Sequence, residues 1–245
     1  MKRFVPIFAS TVFLSIHYGS ILYVNSSLLS NYFEPNIVSL LFLIGAIGNI
    51  FLFLFAPKLI KIFGKRSFLF LSLVLAMGGT LFLAFATTSL AVAISSIIYT
   101  SLVPMTYYCL DIFLEEVTTN KRTGEIRGIY LTFVSLGVAT GPFLLAFLTT
   151  IGSGTLKPVY IAATLLLIPP IFLAFFSFKS HAPKSHGHYH HSLRLPFGAW
   201  WRARNIRRVT LARLILESFF GLMIIYTPIY LHSVLGFEWS ELGFI

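Results

Sequence analysis

Charge is scarce in this chain. Only 11% of its 245 residues are Asp, Glu, Lys or Arg, against 57% hydrophobic residues. Soluble domains run at about 25% charged, so a water-facing surface for the whole chain is excluded. Acidic residues are the scarcest, 8 against 18 basic, for a net charge of +10. In a soluble protein that excess would suggest nucleic acid. Here the basic residues fall in short clusters between apolar runs, so nucleic acid is not expected as a partner. Cysteine occurs once, at Cys109, inside an apolar run. An intrachain disulfide is therefore impossible, and the compartment cannot be read from cysteine usage. Signatures of catalysis are missing as well. The sequence has no phosphate-binding loop, no metalloprotease helix and no paired catalytic carboxylates, so neither an enzyme nor a cofactor is expected.

What is present is long apolar text. Seven runs stand out: Phe4–Leu29, Asn36–Phe55, Ser67–Ala86, Leu90–Phe113, Ile126–Thr149, Val159–Phe178 and Val209–Leu231. Each can cross a hydrocarbon core of about 30 Å as a helix rising about 1.5 Å per residue. Lipid offers the backbone no hydrogen-bond partner, so continuous runs of this length must be helical. A barrel would instead show alternating segments of about ten residues. The fold class is thus all-α, a polytopic membrane helical bundle of about seven transmembrane helices. The first run continues through Leu29 without a small-residue cleavage site, and reads as a retained span rather than a signal peptide.

Lysine and arginine set the orientation. One set of loops carries Lys2 and Arg3, then Lys58, Lys61, Lys65 and Arg66, then Lys121, Arg122 and Arg127. The same side continues with Lys179, Lys184, Arg194, Arg202, Arg204, Arg207 and Arg208, while the opposite loops carry Lys157. The positive-inside rule makes the basic side cytoplasmic and puts the N-terminus there, in a plasma (inner) membrane.

Three units are expected: a six-helix bundle over 1–178, a His- and Arg-rich cytoplasmic linker over 179–208, and the start of a second bundle over 209–245. Gly236 to Ile245 reads as a turn followed by the start of an eighth helix, and the chain as a truncated product. A constant shift that carries Gly19 onto Gly221 also carries Leu14 onto Leu216, Leu29 onto Leu231, Leu40 onto Leu242 and Phe42 onto Phe244. The seventh run is thereby a counterpart of the first, as in a parallel repeat of two six-span halves.

Polar residues inside the runs are the informative ones, because they are costly in lipid. Thr100, Pro104, Tyr107 and Asp111 share one face of the fourth run at helical spacing, and Thr11, Ser15, Tyr18 and Asn25 form a stripe on the first, with His17 beside it. On the seventh, Arg213 and Glu217 lie four apart, with Glu217 about 13 Å into the helix. Arg213 and Glu217 read either as a structural ion pair or as a poised carboxylate with its partner. Asp111 either pairs with Arg127 or the Lys65–Arg66 loop, or faces a path. His17 either bonds between helices or relays protons. Tyr226, with Tyr18 and Tyr107, either lines a path or sits near an interface. Linker residues His186, His188, His190 and His191 are weak candidates for a metal, since their spacing matches no closed zinc pattern. Trp200, Trp201, Arg202 and Arg204 are suited to the membrane surface, rings among headgroups and cations toward anionic lipid.

Local motifs add a resemblance. Pro57-Lys58-Leu59-Ile60-Lys61-Ile62-Phe63-Gly64-Lys65-Arg66 resembles the loop motif G-x-L-a-D-r-x-G-r-r/k that follows span 2 in the major facilitator superfamily, with Lys61 in place of the acidic residue and Pro57 in place of the first glycine. Gly137-Val138-Ala139-Thr140-Gly141-Pro142 resembles the G-x-x-x-G-P motif of that family's span 5, notably in its antiporters. Tyr226 to Leu231 resembles the end of its span 7. The resemblance implies a secondary transporter working by alternating access, in which spans 1, 4 and 7 line a central cavity. It implies a small-molecule substrate, protons as a coupling partner, efflux as the favoured direction, and Gly64, Lys65 and Arg66 as a cytoplasmic gating loop. The substrate and proton path would comprise Glu217, Arg213, Asp111, His17, Tyr18, Asn25, Tyr107 and Tyr226, and a C-terminal bundle would be needed for function. Gly137, Gly141 and Pro142 are expected to serve helix packing, since small residues four apart let backbones approach. The competing readings are a non-transporting sensor or metal-responsive membrane protein built on the histidine loop, or an inactive fragment.

Overall fold

A computed structural model describes residues 4–22, 24–118, 122–151, 155–178, 201–238 and 241. Among the described residues there is helix and no strand. Helix α1 runs Val5–Leu22, α2 Asn25–Ser30, α3 Pro35–Phe63, α4 Lys65–Phe85, α5 Ser89–Val117 and α6 Thr123–Ile151. Helix α7 runs Lys157–Leu166, α8 Ile168–Phe176 and α9 Arg204–Ile229, which a π-helical turn extends over Tyr230–Val234. Among the described residues, seven stretches are long and apolar enough to span a membrane: α1 with α2, then α3, α4, α5 and α6 singly, then α7 with α8, then α9 with its π turn. The protein is a multi-pass, all-α membrane bundle.

The helices outrun the apolar text. The second run was expected over Asn36–Phe55, but α3 continues to Phe63 and carries Pro57, Lys58 and Lys61. Likewise α9 begins at Arg204 rather than Val209. Intrahelical hydrogen bonds continue after the sequence leaves the apolar layer, so hydropathy marks the lipid and not the helix. Breaks have local causes. Gly64, at φ 80°, takes a backbone that side chains resist, and lets α4 start directly after α3. Pro169 and Pro170 lack N–H groups and interrupt the sixth span between α7 and α8. The Thr88 side chain accepts from the Ala91 N–H at 3.3 Å and caps α5.

Spans 1 to 6 form one bundle. Span 1 packs along span 5 and against span 6, span 4 packs between spans 2 and 3, and span 6 bridges spans 1 and 3. Leu14, Ile21, Leu69, Leu73, Met105, Leu110, Leu114 and Tyr160 are fully buried at their meeting. Outward, span 2 presents Leu43, Ile47, Ile50, Phe51 and Phe55, and span 5 presents Leu131, Leu136, Phe143 and Phe147. Water would not tolerate apolar surface on that scale, whereas lipid matches it. Span 7 touches the bundle at its far end, through α2 and the start of α3, and is otherwise exposed.

Candidate functional site

Spans 1 and 4 meet along a polar seam. The Tyr107 hydroxyl of α5 donates to Ser15 Oγ of α1 at 3.1 Å. The Tyr18 ring stands edge-on to Tyr107, centroids 6.2 Å apart at 81°. Thr11 and Ser15 are fully buried under this contact, while Tyr18 and Tyr107 are half-buried at its lip. One turn along α5, Pro104 stands exposed. Its ring removes the N–H that would otherwise bond the Thr100 carbonyl. The seam therefore offers phenol hydroxyls and aromatic edges to anything beside it.

Other members of the span 1 stripe turn inward instead. His17 is fully buried, and its Nδ1 lies 2.8 Å from the Ala163 carbonyl of span 6. A carbonyl only accepts, so that contact puts the proton on Nδ1. The ring meets Tyr99 edge-on, centroids 5.7 Å apart. Asn25 Oδ1 accepts from the Tyr160 hydroxyl at 3.3 Å. Asn25 opens α2 and so faces span 6. The expected stripe is thus divided: Ser15 and Tyr18 face span 4, His17 and Asn25 face span 6.

At the basic end, the short α3–α4 turn is tied to spans 4 and 6. Lys65 pairs with Glu116 at the end of α5. Arg66 Nε donates to the Ala174 carbonyl at 3.1 Å, its terminal nitrogen bonds the Phe175 carbonyl, and its guanidinium lies 5.4 Å over the Phe175 ring. The last carbonyls of a helix have no intrahelical donor, and the planar fork of an arginine suits two of them at once. Arg127 pairs with Asp111 at 3.3 Å, both side chains nearly half exposed, a geometry worth about 0–1 kcal/mol.

On span 7, Arg213 and Glu217 pair with each other at 2.5 Å on an exposed face. Tyr226 lies at the opposite end, its hydroxyl 2.7 Å from Ser39 Oγ at the start of span 2. The structure does not bring Glu217 to the seam between spans 1 and 4. His186, His188, His190 and His191 lie outside the described residues; among those described, no group of three or more His, Cys, Asp or Glu is placed to hold a metal.

The glycines lie at the closest helix crossings. A Cβ on Gly141 would fall 2.1 Å from the Gly19 carbonyl carbon, and one on Gly137 would fall 2.5 Å from Ser15 Cβ. Pro142 follows directly inside α6. A second crossing escaped the sequence reading. Gly45 and Gly48 of span 2 press on Thr100 and Ser101 of span 4. Ser101 Oγ donates to the Gly45 carbonyl at 3.0 Å, and Asn49 Nδ2 donates to the Ser101 carbonyl at 2.8 Å. The available signal was Gly45-x-x-Gly48-Asn49, two small residues followed by a double-donor amide.

The family model described as Major Facilitator Superfamily matches residues 7–245. Comparison with curated proteins gives no match.

Proposed function

Because the chain belongs to the major facilitator superfamily, we propose that it moves a small solute across the membrane by alternating access, coupled to protons and in the direction of efflux. The observation that carries this reading is the seam of Ser15, Tyr18 and Tyr107 beside the exposed Pro104. A polar face on spans 1 and 4 is costly against lipid and useful against a solute path. In the proposed arrangement, spans 1–6 form the first bundle over 1–178. The linker over 179–208 leads to a second bundle that begins with span 7 and covers this face. The two bundles rock about the seam, and solute drives the switch only by binding the two states unequally. In this arrangement the membrane is the plasma membrane, and the N-terminus and the basic loops are cytoplasmic, a reading supported by the positive-inside rule. The turn at Gly64, Lys65 and Arg66 holds the cytoplasmic ends of spans 3, 4 and 6 together as they move.

Glu217 is the proposed coupling group. It is the acidic residue set deepest in an apolar run, and Arg213 is its ion-pair partner. Asp111 and His17 have structural partners in Arg127 and the Ala163 carbonyl, which supports positioning roles for both. The test uses full-length protein in inverted membrane vesicles, a panel of fluorescent organic cations as probes, and an imposed proton gradient. Glu217→Gln should abolish gradient-driven movement while leaving probe binding intact. Unchanged proton-driven movement in Glu217→Gln removes Glu217 from the mechanism.

A further inference from the structure

The start of α9 is built against its own electrostatics. Arg202, Arg204, Arg207 and Arg208 fall within seven residues. Positions 204, 207 and 208 share one face of the helix. The amino end of a helix carries the positive pole of its dipole and favours acidic residues, yet the first turn of α9 holds none. Its N-cap, Ala203, contributes no side-chain hydrogen bond to the free N–H groups. Like charges four apart, as in Arg204 and Arg208, repel. Elsewhere among the described residues the arginines are matched: Arg66 to carbonyls, Arg122 to Glu125, Arg127 to Asp111 and Arg213 to Glu217. Among the described residues, none of these four arginines is in an ion pair. Arg202, Arg204 and Arg208 are exposed. An anion is what this end of the helix wants.

The neighbouring residues say which anion. Trp201 is half exposed, and the Arg207 guanidinium lies 5.8 Å over its ring. An exposed indole at the edge of an apolar span belongs at headgroup depth, where its ring meets acyl chain and its N–H meets water. A phosphate at that depth would be a lipid's, not a free ion's.

We propose that Trp201, Arg202, Arg204, Arg207 and Arg208 form a binding site for the phosphate of an anionic phospholipid, which neutralises the amino end of α9 and fixes the depth of span 7. Guanidinium forks pair with phosphate oxygens two at a time, and the free N–H groups of the first turn add donors of the same polarity. This site stands apart from the seam of spans 1 and 4 and does not depend on transport.

The test places full-length protein in nanodiscs of equimolar phosphatidylglycerol and phosphatidylcholine, and counts the lipid retained after extraction by native mass spectrometry. Phosphatidylglycerol should be retained in preference. Arg204→Gln with Arg208→Gln should weaken that preference about thirtyfold, the factor for two cations at the membrane surface. The charge-matched pair Lys58→Gln with Lys61→Gln, on the exposed end of α3, should weaken it clearly less, since no indole and no helix amino end stands beside those lysines. Equal losses in the two pairs, or no preference in the unaltered protein, would overturn the proposal and leave the arginines as orientation signals only. A second measurement needs no variant. The preference should weaken as ionic strength rises, and a salt-independent preference also overturns the proposal.

Discussion

Placing a methyl group at Gly141 is the sharpest perturbation of the bundle. In Gly141→Ala the new Cβ would sit 2.1 Å from the Gly19 carbonyl carbon, 2.4 Å from the Ser20 nitrogen and 2.5 Å from the Gly19 oxygen. All three are backbone atoms of span 1, so no side chain can swing aside. Carbon atoms rest at about 3.5–4.0 Å, so the two helices must part by about 1.5 Å. Overpacking of that kind costs about 2–3 kcal/mol. Lipid makes no hydrophobic push to hold spans together, so close backbone contact is itself the source of association that is lost. For a chain of this size the expected fall in melting temperature is about 5–10 °C, read by size-exclusion chromatography of heated, detergent-solubilised protein. Gly128 on the same helix is the control. A Cβ there meets nothing within 4 Å, so Gly128→Ala should be neutral or slightly stabilising, as alanine favours helix over glycine. If Gly141→Ala melts with Gly128→Ala, the crossing of spans 1 and 5 is not as close as described and the reasoning fails.

Asn49→Leu removes the amide that bonds the Ser101 carbonyl at 2.8 Å. Interhelical hydrogen bonds in membranes average about 0.6 kcal/mol, so a melting point lower by roughly 1–3 °C is expected, and a rise would deny that the bond stabilises spans 2 and 4. Arg66→Lys keeps the charge but loses the fork that holds the Ala174 and Phe175 carbonyls. Amide exchange over Phe175–Phe178 should speed up several-fold in that variant, with span 3 itself unaffected; unchanged exchange would show that charge alone secures the end of span 6.

The existence of seven spans was legible, because a run of about twenty apolar residues has few other uses. The sites of close crossing were legible in part. Gly137 and Gly141 could be picked out by their spacing, but their partner Gly19 could not, since a packing motif names one surface and not the surface it meets. Spacing also placed Thr11, Ser15, Tyr18 and Asn25 on one face. Periodicity marks a face but not the neighbour that each residue on it meets, and Asn25 bonds Tyr160 of span 6. The burial of His17 was equally hidden, because a lone imidazole reads the same whether it faces a path or the Ala163 carbonyl. Arg66 was expected at a gate; its grip on the end of α8 depends on span 6 arriving beside span 3, a tertiary fact.

The central claim is that the seam of spans 1 and 4 faces a water-accessible path rather than lipid or a sealed interface. The chain suits a direct measurement, since its one cysteine, Cys109, is buried and can be replaced by serine. In that background, Tyr18→Cys, Tyr107→Cys and Pro104→Cys are tested in membranes with a charged, membrane-impermeant thiol reagent applied from each side, beside Phe51→Cys and Phe143→Cys on the outer surface. The account predicts labelling of the three seam positions from both sides, at different rates in the two orientations, and no labelling of the two outer positions. Seam cysteines as silent as Phe51→Cys and Phe143→Cys would contradict it.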